Sequence, residues 1–172
     1  ENAGFTTGKP WMPVNPNYTE INAEAALADP NSTFYYYQKL IALRKSLDVF
    51  RDGSFTLLCP EDEKIFAYTR DTEKGHLLVV CNFSAVAQEG YAVGAPVKGR
   101  YREVLCSDAA EFGGAGGKRP ASVAAKEKPL HKQPYSLTLD LPPLSALYYA
   151  VPKAGEDAPE EESAPVKKPA AR

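Results

Sequence analysis

The sequence predicts a mostly β protein, an antiparallel β-sandwich with a helical piece ahead of it. After Gly53 the apolar residues fall into short runs with a period of two, divided by turn residues. Before Gly53 one stretch keeps helical spacing, through Phe34, Tyr37, Leu40, Ile41, Arg44 and Leu47. No helical pattern separates the later runs, so an alternation of strand and helix is excluded and hairpin-linked strands are favoured.

The first stretch, residues 1–31, is rich in Gly, Pro, Asn and Thr, as in Gly8-Lys9-Pro10 and Val14-Asn15-Pro16-Asn17, and predicts irregular loop. A short helix is expected over Ala23–Ala28, capped by Asn22 and stopped by Pro30. The main helix follows, with Asn31 or Ser32 as its cap. Its Lys39, Arg44 and Lys45 lie toward the end where cations suit the helix dipole. Its apolar stripe needs a partner, and Asp52-Gly53 closes the segment with a turn.

Strands are expected over Ser54–Cys59, Ile65–Arg70 and Leu77–Asn82, with turns at Pro60–Lys64 and Asp71–Gly75. Further strands are expected over Tyr91–Val93, Arg100–Cys106, Ser136–Leu141 and Ala146–Val151. The unbroken run Leu77-Leu78-Val79-Val80-Cys81 predicts a central strand covered on both faces. Between two strands lies a long Gly-, Ala- and Lys-rich loop, Ser107–Pro134. Residues 152–172 are Ala, Pro, Glu and Lys with little to bury, and predict disorder. The organisation is therefore a loop and helix over 1–52, a sandwich over 53–151 and a tail over 152–172.

Composition narrows the function classes. The 172 residues are 44% apolar with a net charge of −2, which fits a globular core and removes the simplest electrostatic case for nucleic acid. No run reaches the roughly 18–20 apolar residues that a bilayer span requires, so no membrane partner is expected. The three cysteines, Cys59, Cys81 and Cys106, form no CxxC pair and point to a reducing, cytoplasmic setting. With only His76 and His131, no metal site and no cofactor are expected.

Candidate chemistry is sparse. Gly113-Gly114-Ala115-Gly116-Gly117-Lys118 lacks the first glycine of a phosphate loop, where Phe112 stands, and has Arg119 where Ser or Thr is required; it reads as a flexible loop. Glu61-Asp62-Glu63 falls in a hairpin turn, and Asp108 and Glu111 flank the long loop. None forms the facing pair of carboxylates that glycoside hydrolysis requires. Cys81 lies in an apolar strand, Cys59 and Cys106 at strand ends, and His131 in a polar loop as a solvated residue; no catalytic residue is expected. The tyrosines Tyr35-Tyr36-Tyr37 fall on the main helix and suit core packing. A flat ring can stack on the apolar face of a pyranose, and Trp11 and Tyr18 are the candidate sugar-binding residues.

The segments Asn2-Ala3-Gly4-Phe5-Thr6-Thr7-Gly8-Lys9-Pro10-Trp11, Val14-Asn15-Pro16-Asn17-Tyr18 and Ile21-Asn22 resemble the α-glucosidases of the α-amylase superfamily, in the oligo-1,6-glucosidase and trehalose-6-phosphate hydrolase branch. The likeness continues through Asp29-Pro30-Asn31-Ser32, Leu43-Arg44-Lys45, Ile65-Phe66-Ala67-Tyr68 and Val79-Val80-Cys81-Asn82-Phe83. Beyond Ser84, Gly99-Arg100-Tyr101, Glu111-Phe112-Gly113-Gly114, Pro134-Tyr135-Ser136-Leu137 and Leu141-Pro142-Pro143-Leu144-Ser145-Ala146-Leu147 resemble the C-terminal all-β domain of 1,4-α-glucan branching enzymes.

The resemblance implies that residues 1–52 are the last loop and helix of a catalytic (β/α)₈ barrel, followed by its C-terminal sandwich. It also implies a retaining mechanism whose carboxylates lie upstream on the barrel, which at about 250 residues does not fit in this length. The expected partners are that barrel, in the same polypeptide, and an α-glucan or α-glucoside reached through it. A non-catalytic starch- or glycogen-binding module is the alternative.

Overall fold

The structure is a computed structural model and describes residues 2–151. Glu1 and the tail over 152–172, for which the sequence predicts disorder, lie outside the described residues. Three α-helices come first: α1 (Ala23–Ala28), α2 (Thr33–Ser46) and α3 (Val49–Asp52). Eight strands follow among the described residues: β1 (Ser54–Leu57), β2 (Ile65–Thr72), β3 (Gly75–Asn82), β4 (Gln88–Ala95), β5 (Arg100–Cys106), β6 (Ser122–Ala124), β7 (Tyr135–Leu141) and β8 (Ser145–Val151). All pair antiparallel, in a six-stranded sheet of order β1-β2-β3-β8-β5-β6 and a two-stranded sheet β4-β7.

The sheets close on one another through alternate residues. Ile65, Ala67, Leu78, Val80, Tyr101, Leu147 and Tyr149 of the large sheet meet Val93, Ala95, Leu137, Leu139 and Leu141 of the small one in one buried cluster. On the opposite face of the large sheet, Leu77 and Val79 are buried beneath Val49 of α3, with Leu47, Phe50, Tyr68 and Tyr148 around them. The continuous apolar run of β3 is thereby explained. Its odd and even residues serve two different cores, as a strand covered on both faces requires.

Local signals set the element ends. Asn15 accepts from the Asn17 N–H ahead of a 3₁₀ turn over Pro16–Thr19, and Asn22 caps α1 by accepting from the Ala25 N–H at 2.8 Å. Ser32 occupies the α2 cap position, but its hydroxyl donates instead to the Ala26 carbonyl at 2.6 Å, tying α2 to α1. The segment after Leu47 forms α3 rather than a simple turn, and Gly53 ends it, held close because a Cβ there would stand 2.5 Å from the Val49 carbonyl.

The structure corrects several expectations of local structure. The long loop Ser107–Pro134 contains a strand, β6, paired on β5, and a 3₁₀ turn over Ala110–Phe112. Its Ser-Val-Ala sequence carries no apolar alternation, so only the pairing edge of β5 reveals it. The Gly-rich segment is pinned rather than loose. Gly116 N–H donates to the Asp108 carbonyl at 2.9 Å and Ala115 N–H to the Asp108 carboxylate at 3.1 Å, while a Cβ on Gly114 would stand 2.3 Å from that same carbonyl. The strand expected over Tyr91–Val93 runs from Gln88 to Ala95 and is irregular between Gln88 and Tyr91, where Gly90 takes a φ of 61° and donates to Asp140. Finally, Tyr37 is not core; it is 58% exposed.

Candidate functional site

The sugar-contact candidates lie in the N-terminal segment. Trp11 is 83% exposed, in a stretch without regular structure, and Tyr18 is half-buried in the 3₁₀ turn over Pro16–Thr19. The backbone around Tyr18 is fixed: its carbonyl accepts from the Asn22 side-chain amide at 2.9 Å, and Asn22 in turn caps α1. Among the described residues neither ring stacks on another aromatic ring. Of the two, Trp11 offers the exposed flat ring.

The titratable groups are occupied with holding the fold. Asp62 accepts from the Lys64 and Ile65 N–H groups, both at 2.9 Å, and from the Tyr91 hydroxyl at 2.8 Å. Burial works to raise this carboxyl, but those three donors outweigh it and hold it below the usual carboxylate range, while the same pairing and burial push the Tyr91 phenol up. Glu103 receives Arg119 at 3.1 Å and the Tyr149 hydroxyl at 3.3 Å. Burial pushes the Cys81 and Cys106 thiols up, away from the thiolate form that nucleophilic chemistry requires. His131, expected as a solvated residue, is half-buried, and its Nδ1 accepts from the Gly94 N–H at 3.3 Å. Among the described residues no group of three His, Cys, Asp or Glu side chains could hold a metal ion, and no helix is long and apolar enough to cross a membrane.

Sequence reasoning missed the residue that organises one end of the sandwich. Asn82 is fully buried; its amide donates to the Val86 and Pro142 carbonyls, both at 2.9 Å, and its Oδ1 accepts from the Ser84 N–H and hydroxyl. The available signal is a lone asparagine closing an apolar strand, with a serine two positions on.

Two groups of exposed apolar side chains stand out. Phe34, Tyr37 and Ile41 project from α2 into solvent, and Phe55, Leu57 and Phe66 from β1 and β2 on the helix-bearing face of the large sheet. The family described as Alpha amylase, C-terminal all-beta domain matches residues 58–152, and its Alpha amylase, catalytic domain matches residues 1–53. The chain belongs to the α-amylase family.

Within the α-amylase family, an oligo-1,6-glucosidase of Parageobacillus thermoglucosidasius is 56% identical over 84 residues, covering 49% of this chain and 15% of that protein. A glucan 1,6-alpha-glucosidase of Streptococcus pneumoniae is 44% identical over 110 residues, covering 64% of this chain and 19% of the relative. Among solved structures, the trehalulose synthase MutB of Pseudomonas mesoacidophila aligns with a TM-score of 0.64 at 32% identity, over 87% of this chain and 23% of that one. A Bacillus licheniformis trehalose-6-phosphate hydrolase aligns with a TM-score of 0.62 at 30% identity, over 88% and 24%. The chain thus spans less than a quarter of each of these four relatives. It corresponds to the end of the catalytic domain and the C-terminal all-β domain, so α1 and α2 fall in the catalytic-domain match and β2 to β8 in the sandwich match.

Proposed function

We propose that this chain is the C-terminal part of an enzyme acting on α-glucosidic bonds, of the oligo-1,6-glucosidase kind, and that its own role is structural. Residues 1–52 supply the last loop and helix of the catalytic barrel, and 53–151 the sandwich that braces them. The observation that carries this is the double-sided apolar character of α2. Tyr36 packs on Phe112, while Phe34, Tyr37 and Ile41 stand exposed on the helix's outward face. A helix with apolar residues on both faces suits a place between two bodies, and the catalytic-domain match over 1–53 supports a barrel as the second. The carboxylates for a retaining mechanism belong to that barrel. Trp11 and Tyr18 are the residues of this chain offered to the sugar, and the free cysteines favour a cytoplasmic setting.

An antibody raised against the chain tests the proposal. The expected result is a polypeptide several times heavier than 18.7 kDa in extracts of the source, which once purified hydrolyses p-nitrophenyl α-glucoside. A band at 18.7 kDa without hydrolysis would overturn it. The second resemblance, beyond Ser84, favours 1,4-α-glucan branching on glycogen as the runner-up. A heavy polypeptide that lowers the iodine colour of amylose without hydrolysing the glucoside selects that activity. If the chain instead stands alone as a starch-binding module, the emission of Trp11, the sole tryptophan, shifts on titration with maltoheptaose.

A further inference from the structure

A set of contacts joins the sandwich to the segment that carries Tyr18. The 3₁₀ turn over Ala110–Phe112 reaches out from the sandwich to α2. Phe112 meets Tyr36 edge to face at 5.3 Å, Lys39 Nζ stands 5.7 Å from the centre of the Phe112 ring, and the same ammonium pairs with Glu111 at 2.9 Å. Gly113 ends the turn at a φ of 77°, so close to the helix start that a Cβ there would stand 3.4 Å from the Asn31 carbonyl. The turn itself is held from behind. Asp108 receives the Ala115 and Gly116 N–H groups, and Arg119 is paired with the largely buried Glu103 on β5.

From α2 the connection runs onward through hydrogen bonds. The Tyr35 hydroxyl donates to the Leu27 carbonyl at 2.9 Å and the Ser32 hydroxyl to the Ala26 carbonyl at 2.6 Å, which fixes α1. Asn22 caps α1 and donates to the Tyr18 carbonyl. At six residues, α1 is too short to hold itself in water, so its placement depends on these ties.

We propose that Phe112, seated on Tyr36, is a positioning residue: the sandwich sets the placement of the Tyr18 segment, and so the grip on the sugar, through the 110–113 turn. The part of this inference that concerns sugar rests on the proposed α-glucoside activity; the mechanical part does not. Tyr36 is suited to the role because it is gripped on two sides, with the Tyr148 phenol of β8 facing it as well as Phe112, and burial there pushes the Tyr36 hydroxyl up.

The test has two readouts. In the 172-residue chain, Phe112→Ala is expected to speed amide exchange at Ala26, Asp29 and Tyr35 by about fivefold or more, the loss of an aromatic contact, while the β3 amides keep their rates. In the full enzyme the same substitution is expected to raise KM for isomaltose by about fivefold with kcat within about twofold, the pattern of lost uniform binding. Phe112→Tyr restores both values. Should Phe112→Ala fail to fold, Lys39→Met removes the exposed ion pair and the contact over the ring without touching a core, and is expected to move both readouts the same way by a smaller factor.

Unchanged exchange in α1, or exchange that accelerates equally in β3, overturns the connection. A shift in exchange with KM unchanged overturns the sugar-grip part. A wild-type enzyme without activity on any α-glucoside refutes the proposed function instead, and the exchange measurement still judges the mechanical part.

Discussion

His131 and Lys132 form the tip of a two-residue hairpin in which Leu130 and Gln133 exchange backbone hydrogen bonds at 3.0 and 2.9 Å. Both tip residues have positive φ, 52° and 61°, the geometry that favours asparagine and glycine. Gly94 lies directly beneath, because a Cβ there would stand 2.4 Å from the Leu130 carbonyl. His131 therefore works as a neutral acceptor for the Gly94 N–H, and burial holds its imidazole below the ordinary value, with the Asp62 carboxylate pulling weakly the other way. A folded pKa below the unfolded one means that the stabilisation is complete above the unfolded value of about 6.5 and is lost as pH falls through the folded value. Urea titrations between pH 7 and pH 5 are expected to show a loss of stability that His131→Gln abolishes. An equal loss in that variant would place the titration elsewhere. Lys132→Gly relieves a left-handed residue and is expected to raise stability by about 1 kcal/mol in the same measurement.

At the scale of the element, β3 carries the largest consequence of a single change. Leu78 and Val80 are fully buried between the sheets, so Leu78→Asp or Val80→Asp places an unpaired charge there and is expected to cost several kcal/mol, enough to lose the cooperative melt. A melting curve unchanged by either would contradict the packing described. Arg119 holds the long loop through its ion pair with Glu103, and both side chains are largely buried. Arg119→Met leaves the carboxylate with only the Tyr149 hydroxyl and is expected to destabilise the chain by about 3 kcal/mol, read as a lower urea midpoint.

These two sites also mark what the sequence could tell. The strands around Leu78 were legible because each buries alternate apolar side chains, and the double apolar run announced a central position. The Arg119 contact, β6 and the Phe112 seat were not, because they join residues far apart in sequence and use polar or small side chains with no period. The same limit applies to the site. Trp11 and Tyr18, the proposed sugar contacts, are offered by residue type and Asn22 by its capping position, whereas the Ser32 and Tyr35 hydrogen bonds that tie α2 to α1 depend on how the two helices meet.

At the scale of the whole molecule, the two sheets differ in what they expose. The outer surface of the small sheet exposes Glu89, Ala92, Thr138 and Asp140, a solvated face. The helix-bearing face of the large sheet carries Phe55, 57% exposed, with Leu57 and Phe66, and α2 exposes Phe34, Tyr37 and Ile41. Single exposed apolar residues are ordinary, but Phe55, Leu57 and Phe66 together on one sheet face are not. Phe55 and Phe66 both lean on Tyr68, at 5.1 and 5.6 Å, so the side is built and not merely left uncovered. With a barrel absent, this surface has water as its alternative, and the free energy of apolar contact, roughly 25 cal/mol per Å², drives it onto dyes or onto a second copy. The isolated chain is expected to brighten an anilinonaphthalene dye and to sediment above its monomer mass at tens of micromolar, measured by analytical ultracentrifugation. Tyr37→Lys with Phe55→Lys is expected to abolish both effects and to lower the melting temperature by no more than the loss of two exposed aromatic pairs, since neither side chain enters a buried cluster. Thr138→Lys, on the solvated face, serves as the control and is expected to change neither. A wild-type chain that stays monomeric and dark to the dye would mean that these rings do not make a docking side, and would count against the proposed contact with a barrel.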